Sequence, residues 1–241
     1  MNIALIGYGK MGKAVEAVAK RRGHHITLAT SVTPTAEALI STDVAIEFSR
    51  PEAAFENLRC CLEHHLPVVC GTTGWLEKRG AIEKICQVQN GTFLYASNFS
   101  IGVNIFFEVN QRLAKLMAPY TDYEVDIEEI HHAEKLDIPS GTAISLAQGI
   151  IAKTDKTDWI LGPNQQKDQV LIQSKRLENV PGTHIVTYRS PIDDIQIKHQ
   201  AHNRQGFALG AVIAAECIKD KKGVFSMEEV LRISSSHSFL S

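Results

Sequence analysis

The chain has no apolar run approaching the roughly 18 residues that would span a bilayer, no internal repeat and no low-complexity segment. A transmembrane helix, a solenoid and a disordered tract therefore drop out of its reading. It also lacks a charge of one sign: 25 Lys and Arg stand against 27 Asp and Glu, a formal net charge of −2. Composition thus supplies no general attraction for nucleic acid or a membrane surface, and the short basic clusters at 20–22 and 219–222 read as solvated faces. Cysteine is sparse and odd in number: Cys60, Cys61, Cys70, Cys86 and Cys217 show no metal-ligand spacing and fall mostly in apolar segments. Reduced, buried thiols are expected rather than a disulfide framework or a metal cluster. No positively charged leader precedes the first predicted strand, so the expected location is the cytoplasm.

What is present is enough apolar residue to build a real core. Hydrophobic residues make up 44% of 241, which suits one large domain or two small ones. Asn2–Ile6 reads as a strand ending at Gly7, Lys10–Arg22 as a helix with Met11, Ala14, Val15 and Val18 on one face, and His25–Ala29 as a second strand. The alternation continues through strands at Val44–Phe48, Pro67–Cys70 and Phe93–Ala96, with helices at Pro51–His64 and Leu76–Cys86. Five strands alternating with helices predict a doubly wound parallel sheet, the α/β class.

The pattern changes after Asn98. A long helix over 100–117, a strand over Tyr123–Ile130, a helix over 140–152 and a polar loop over 155–168 precede three alternating runs, Val170–Leu177, His184–Tyr188 and Asp194–Ala201. These predict a smaller α+β domain with a mixed or antiparallel sheet. Gly206–Lys219 and a short helix capped by Ser226 are assigned back to the first domain. The expected division is 1–98 with 206–241, and 99–205.

Two regions carry chemistry. Gly7, Tyr8, Gly9, Lys10, Met11 and Gly12 fit GxGxxG between a strand and a helix, where glycines permit a tight turn and a pyrophosphate can approach the helix N-terminus. The second strand runs Leu28-Ala29-Thr30-Ser31-Val32, with no carboxylate to bond a ribose 2′-OH. Thr30, Ser31 and a nearby Lys10 suit a 2′-phosphate, which favours NADPH without excluding NADH; Lys10 pointing to solvent is the alternative. Phe48-Ser49-Arg50 and Gly71-Thr72-Thr73-Gly74 follow later strands, where ligands of parallel sheets bind. The second region is His131-His132-Ala133-Glu134-Lys135-Leu136-Asp137-Ile138-Pro139-Ser140-Gly141-Thr142-Ala143, which sets proton carriers ahead of a helix N-terminus able to hold an anion. Successive residues of a strand point to opposite faces, so the two histidines share one site only if the strand has ended. Asp137 reads as a loop or cap residue and Glu134 as solvent-facing.

With both regions read, the chain resembles the 4-hydroxy-tetrahydrodipicolinate reductase (dihydrodipicolinate reductase) family. The resemblance rests on the glycine fingerprint ending Lys10-Met11-Gly12, EFSRPEA over 47–53, GTTGW over 71–75, ASNFSIGVN over 96–104, HHAEKLDIPSGTA over 131–143 and HQAHNRQGFALGA over 199–211. It implies reduction of a cyclic imine dicarboxylate with NADPH or NADH in diaminopimelate and lysine biosynthesis, a dinucleotide-binding domain hinged to a substrate domain, and a homotetramer. It implies His131 as catalytic proton donor/acceptor, Lys135 as proton donor, and substrate contacts from His132, Ser140, Gly141 and Thr142. It also implies dinucleotide contacts from residues 7–12, Arg50, Gly71, Thr72, Thr73, Ala96, Ser97, Asn98 and Phe99. The chain departs from the family in a shorter first glycine loop and in lacking the charged residues after the second strand. Two rivals remain: another two-domain amino-acid dehydrogenase, which would lack the His/Lys/SGT signature, and a non-catalytic dinucleotide-binding sensor, which would have lost the proton donors.

Overall fold

The computed structural model describes residues 1–135, 137–164, 166–178, 180–203 and 205–232. In chain order the first elements are β1 (Asn2–Ile6), α1 (Lys10–Arg21), β2 (His25–Thr30), α2 (Ala36–Leu39), β3 (Val44–Glu47), α3 (Pro51–Glu63), β4 (Val68–Cys70), α4 (Arg79–Val88, after a 3-10 turn at Leu76–Lys78) and β5 (Thr92–Tyr95). Then come α5 (Ile101–Met117), β6 (Glu124–His131), α6 (Gly141–Ile151), β7 (Asp158–Leu161), β8 (Gln169–Arg176), β9 (Gly182–Arg189) and β10 (Asp194–Ala201). The chain closes with α7 (Gln205–Ile218), β11 (Gly223–Phe225) and α8 (Met227–Leu231). Two compact units result, one from described residues of 1–101 and 205–232 and the other from described residues of 102–203.

The first unit is a six-stranded parallel sheet in the order β11-β5-β4-β3-β1-β2. Its central strands are apolar on both faces because helices cover both. Ile3, Leu5, Ile46 and Leu94 pack with Val15 and Val18 of α1 and with Ala211 and Ala215 of α7. Their neighbours in sequence, Ala4, Ile6, Ala45 and Phe93, pack on the other face with Leu58, Leu62 and Ile82 of α3 and α4. The small residues of α7 let it approach closely: a Cβ at Gly210 would stand 1.7 Å from the carbonyl oxygen of Phe99.

The prediction of five strands and a loop over 155–168 needs correction in both units. β11 adds a sixth strand, parallel to β5, and β7 forms within the expected loop, parallel to β8. Each is three or four residues long, too short to show a period, and each exists because a neighbouring strand offers an unpaired edge. The predicted helix from Leu76 also starts later as a regular helix, at Arg79.

The second unit is a five-stranded mixed sheet, β10-β9-β6-β8-β7. β6 runs antiparallel to β9 and parallel to β8. Phe106 and Ala114 of α5 and Ala143, Leu146 and Ile150 of α6 pack with Val125, Ile127, Val170, Ile172, Val186 and Tyr188 of the sheet. Alternation along β6 buries Val125, Ile127, Glu129 and His131 in one row, so the last two places of an apolar stripe hold an acid and an imidazole. All five cysteines are free thiols. Among the described residues no helix is long and apolar enough to cross a membrane.

Candidate active site

At the carboxyl end of β1 each glycine of the fingerprint meets a different steric demand. Gly7 has φ +96°, and a Cβ there would stand 2.0 Å from the carbonyl oxygen of Phe48. Gly12 is wedged against the turn, its Cβ position 2.2 Å from the carbonyl oxygen of Gly7. Around a Cβ at Gly9 nothing stands within 4 Å. This is the division of labour a dinucleotide turn requires: a tight turn, an open approach for the pyrophosphate and close helix packing. The N-terminus of α1 has no side-chain cap and no acidic residue in its first turn, so its N–H groups and positive dipole end suit a phosphate. The residues present therefore fit a dinucleotide.

Lys10 is exposed and Tyr8 is half-buried. The Tyr8 hydroxyl donates to Glu16, and Lys13 stands 5.9 Å from the Tyr8 ring centroid. Because all six strands are parallel, the segments after β1, β3, β4 and β5 emerge along the same sheet edge. Met11, Phe48, Ser49, Pro51, Gly71, Thr72 and Thr73 line a cavity of about 230 Å³ there. Thr72 Oγ1 accepts from Ser49 N–H at 2.8 Å, tying two of its walls together. A Cβ at Gly71 would fall 2.0 Å from the Phe48 ring. Below this edge lies a buried acid the sequence reading did not single out: Glu47 accepts from Ser49 N–H at 3.1 Å and from the Ser49 hydroxyl, the Asn57 amide and the Cys70 thiol.

The other predicted cofactor residues differ in what they expose. Arg50 is exposed at the N-cap of α3, Ser97 is exposed, and Asn98 accepts from Ser100 N–H at 2.9 Å. Ala96 and Phe99 are buried, Phe99 as part of the core with its ring edge-on to Phe48 at 5.6 Å. Its side chain is engaged in packing, so Phe99 itself can offer a ligand only backbone.

In the second unit β6 runs one residue further than predicted and ends on His131. His131 therefore belongs to the strand, its ring on the buried face, while His132 lies just beyond the strand end. The His131 ring stands in a polar cluster drawn from four elements. Its Nε2 is 3.3 Å from His184 Nε2 on β9 and 3.5 Å from Glu129 Oε2 on its own strand. Glu129, fully buried, also accepts from Ser140 N–H at 3.1 Å to each oxygen and from Ser174 Oγ at 2.7 Å. Burial pushes the Glu129 carboxyl up, but bonds from His131, Ser140 and Ser174 outweigh it and hold the group at about 2. Burial, reinforced by the neighbouring His131, lowers His184 to about 3, so it is neutral at pH 7.

Ser140 is the N-cap of α6, its hydroxyl accepting from Ala143 N–H at 3.2 Å and lying 3.2 Å from His184 Nε2. Its backbone N–H and its hydroxyl are thus engaged within the protein, whereas Gly141 faces open space, with nothing within 4 Å of a Cβ there. Thr142 follows in the first turn of α6. The loop between the strand and this helix is pinned by Arg176 of β8, which donates from Nη2 to the carbonyl of Asp137 at 2.8 Å and from Nε to that of Lys135 at 3.4 Å. The Ile138-Pro139 peptide is cis. Lys135 Nζ pairs with Asp137 at 2.6 and 2.7 Å. Burial raises the Asp137 carboxyl, but Lys135 wins and holds it below the usual range. Glu134 is exposed.

The structure thus gathers His131 and Ser140, with Lys135 on the pinned loop and Gly141 and Thr142 in the first turn of α6, at one end of the second sheet. Glu129, Ser174, Arg176 and His184 complete that group without having been singled out in the sequence. Strand alternation is the signal that could have found Glu129, since it shares a face with Val125 and Ile127; the other three reach the site only through sheet pairing.

Residues 1–99 match the family described as "Dihydrodipicolinate reductase, N-terminus", and residues 102–231 match "Dihydrodipicolinate reductase, C-terminus". The chain is 53% identical over 233 residues to a 4-hydroxy-tetrahydrodipicolinate reductase of Christiangramia forsetii, covering 96% of this chain and 98% of that protein. Among solved structures its fold is similar to a dipicolinate-bound dihydrodipicolinate reductase from Paenisporosarcina sp. TG-14, with TM-score 0.75, 23% identity and coverage of 95% and 98%. A probable dehydrogenase from Thermotoga maritima is more distant, with TM-score 0.58, 10% identity and coverage of 96% and 93%. The chain belongs to the dihydrodipicolinate reductase family.

Proposed function

We propose that this member of the dihydrodipicolinate reductase family carries out the NAD(P)H-dependent reduction of 4-hydroxy-tetrahydrodipicolinate, by way of its dehydrated form, to tetrahydrodipicolinate, with His131 and Lys135 as the proton sources. The observation that carries the assignment of residues is the convergence of His131, the Lys135 loop and the α6 N-terminus at one end of the second sheet. When bound, the dinucleotide supplies hydride. Hydride delivery to a conjugated imine leaves negative charge on the ring nitrogen, which a nearby acid or cation must neutralise. Lys135, an ammonium at the mouth of the loop, supplies that proton or charge once a substrate carboxylate displaces Asp137. His131 carries the second proton-handling position, and Gly141 with Thr142 and His132 hold the carboxylates, where the helix dipole favours an anion.

The cofactor seats on residues 7–12, Arg50, Gly71–Thr73 and 96–99. NADPH is preferred over NADH, because no carboxylate follows β2 to bond a 2′-OH and Lys10, exposed and without an ion-pair partner among the described residues, is available to a 2′-phosphate. The chain acts as a cytoplasmic homotetramer; the second sheet ends in two edge strands, β7 and β10, which leave backbone donors and acceptors to pair. The test is an assay in which the aldolase-type synthase makes the substrate from pyruvate and aspartate semialdehyde and oxidation of NADPH and NADH is followed in parallel. Lys135→Ala and His131→Ala should lose turnover with cofactor affinity retained, and Lys10→Ala should raise KM for NADPH more than for NADH. Unchanged rates in both of the first two variants would sink the assignment of proton sources.

A further inference from the structure

Glu129 is a fully buried carboxylate that follows two apolar residues, Val125 and Ile127, and precedes His131 in the buried row of β6. Removing a carboxylate from water costs several kcal/mol unless its oxygens are satisfied, and an apolar residue would continue the row without that penalty. The nearest cation, Arg176 Nη1, stands 3.6 Å away, beyond hydrogen-bond distance. The oxygens are satisfied instead by Ser174 of β8 and by the N–H of Ser140 at the start of α6. Both oxygens therefore hold the frame of the site, and Oε2 in addition faces His131 Nε2.

His184 fills the remaining side. Its Nε2 is within 3.3 Å of His131 Nε2 and 3.2 Å of Ser140 Oγ, and its Nδ1 is buried with no partner among the described residues. Two imidazoles whose Nε2 atoms face each other share one proton between those atoms. A proton on His131 Nε2 faces both His184 Nε2 and the carboxylate, whereas an unprotonated Nε2 there would set a lone pair against Glu129. The carboxylate thus favours the Nε2–H form of His131, which leaves Nδ1 as the ring nitrogen not engaged by these partners.

We propose that Glu129, backed by His184, is a positioning residue for the reduction: it holds the Nε2–H of His131 and stabilises the doubly protonated ring, so that Nδ1–H gives its proton to the substrate and the ring is left neutral with its remaining proton on Nε2, and through Ser140 N–H it locks that ring to the α6 anion cradle. The inference rests on the assignment of His131 as a proton carrier. Groups acting on the cluster are His131 and His184 themselves, Arg176 from β8, Lys135 from the loop and His199 from β10. Carboxylates behind a working histidine act in this way elsewhere in enzymes, holding the tautomer and stabilising the charged ring without themselves taking the proton.

The test is a double-mutant cycle of Glu129→Gln and His131→Ala in the synthase-coupled assay, with NADPH binding followed by fluorescence and the pH dependence of kcat recorded. Glu129→Gln is expected to lower kcat at least about tenfold, leave NADPH affinity unchanged and displace the histidine-dependent limb of the pH profile. In the His131→Ala background the same change should cost less than about twofold, because two residues acting through one group are not additive. An equal loss in both backgrounds, or an unaltered kcat and pH profile in Glu129→Gln, overturns the proposal. If His131→Ala alone keeps full activity, the assignment of His131 has failed instead, and the two failures are told apart. Should Gln not be accommodated, Ser174→Ala removes one donor to Glu129 and should lower kcat in the wild-type background but not in His131→Ala; equal effects overturn the proposal.

Discussion

Gly182 and His131 meet face to face at the end of the β6–β9 ladder: a Cβ at Gly182 would stand 3.0 Å from the imidazole Cε1 and 3.3 Å from Nδ1. The backbone of Gly182 is not left-handed, so any residue could take its conformation. What the position forbids is volume under the ring. Gly182→Ala is therefore expected to fold but to push the imidazole off its partners, with kcat falling between about 10- and 100-fold, the usual consequence of misplacing a reacting group by a fraction of an ångström to an ångström. NADPH titration should be unaltered, and steady-state kinetics with full activity in Gly182→Ala would show that the ring is not held there.

The glycines of the fingerprint should separate by function. Gly12→Ala places a Cβ 2.2 Å from a backbone oxygen and should lower the melting temperature of the first unit, whereas Gly9→Ala meets nothing within the protein. Gly9→Ala is expected to melt like the parent yet bind NADPH at least about tenfold more weakly, because the methyl occupies the path of the pyrophosphate. Thermal scans beside fluorescence titrations check both halves.

Arg176 holds the loop by its carbonyls at Lys135 and Asp137 rather than by charge. Arg176→Met keeps much of the apolar stem and loses the donors. Turnover should drop and KM for the dicarboxylate rise, with KM for NADPH constant. The pair Lys135–Asp137 is a different case: Asp137 is mostly exposed, so its removal should leave stability within about 1 kcal/mol of the parent.

Acid should destabilise the second unit from an early pH. His184 titrates near 6.5 in the unfolded chain and about 3 in the folded one, so between these values the unfolded state binds the extra proton. Stability is then whole above 6.5 and is lost as pH falls toward 3. Glu129, lowered from 4.5 to about 2, acts in the same direction over the lower window, present above 4.5 and lost toward 2. Trp75 lies in the first unit and Trp159 in the second, so in a Trp75→Phe background fluorescence reports the second unit alone. Its urea midpoint should be lower at pH 5 than at pH 7, and the difference should shrink in His184→Asn. A midpoint independent of pH over this interval would contradict the burial of a neutral imidazole.

Much of this was legible beforehand because its causes are local. The turn at residues 7–12 requires glycine for steric reasons that a strand and helix on either side already imply. Ser140 before Gly141 and Thr142 reads as a helix start because a hydroxyl at the cap satisfies a backbone N–H. The row Val125, Ile127, Glu129 follows from the two-residue period of the strand predicted over Tyr123–Ile130, whereas His131 lies past that predicted end and joins the row only in the structure. The short strands β7 and β11 were not legible, since neither has a period of its own and each is made by the edge it joins.

The sequence by itself determined the class of both units, the glycine turn between β1 and α1 and the grouping of two histidines, a lysine and a helix start within 131–143, all of which depend on residues a few positions apart. Only the tertiary structure decided which face His131 presents and what surrounds it. Ser174 comes to Glu129 across 45 residues and His184 to His131 across 53, brought there by the register of β8 and β9 against β6. That register is set by the fit of apolar side chains beneath α5 and α6, a property of the packed sheet that no short stretch of chain contains.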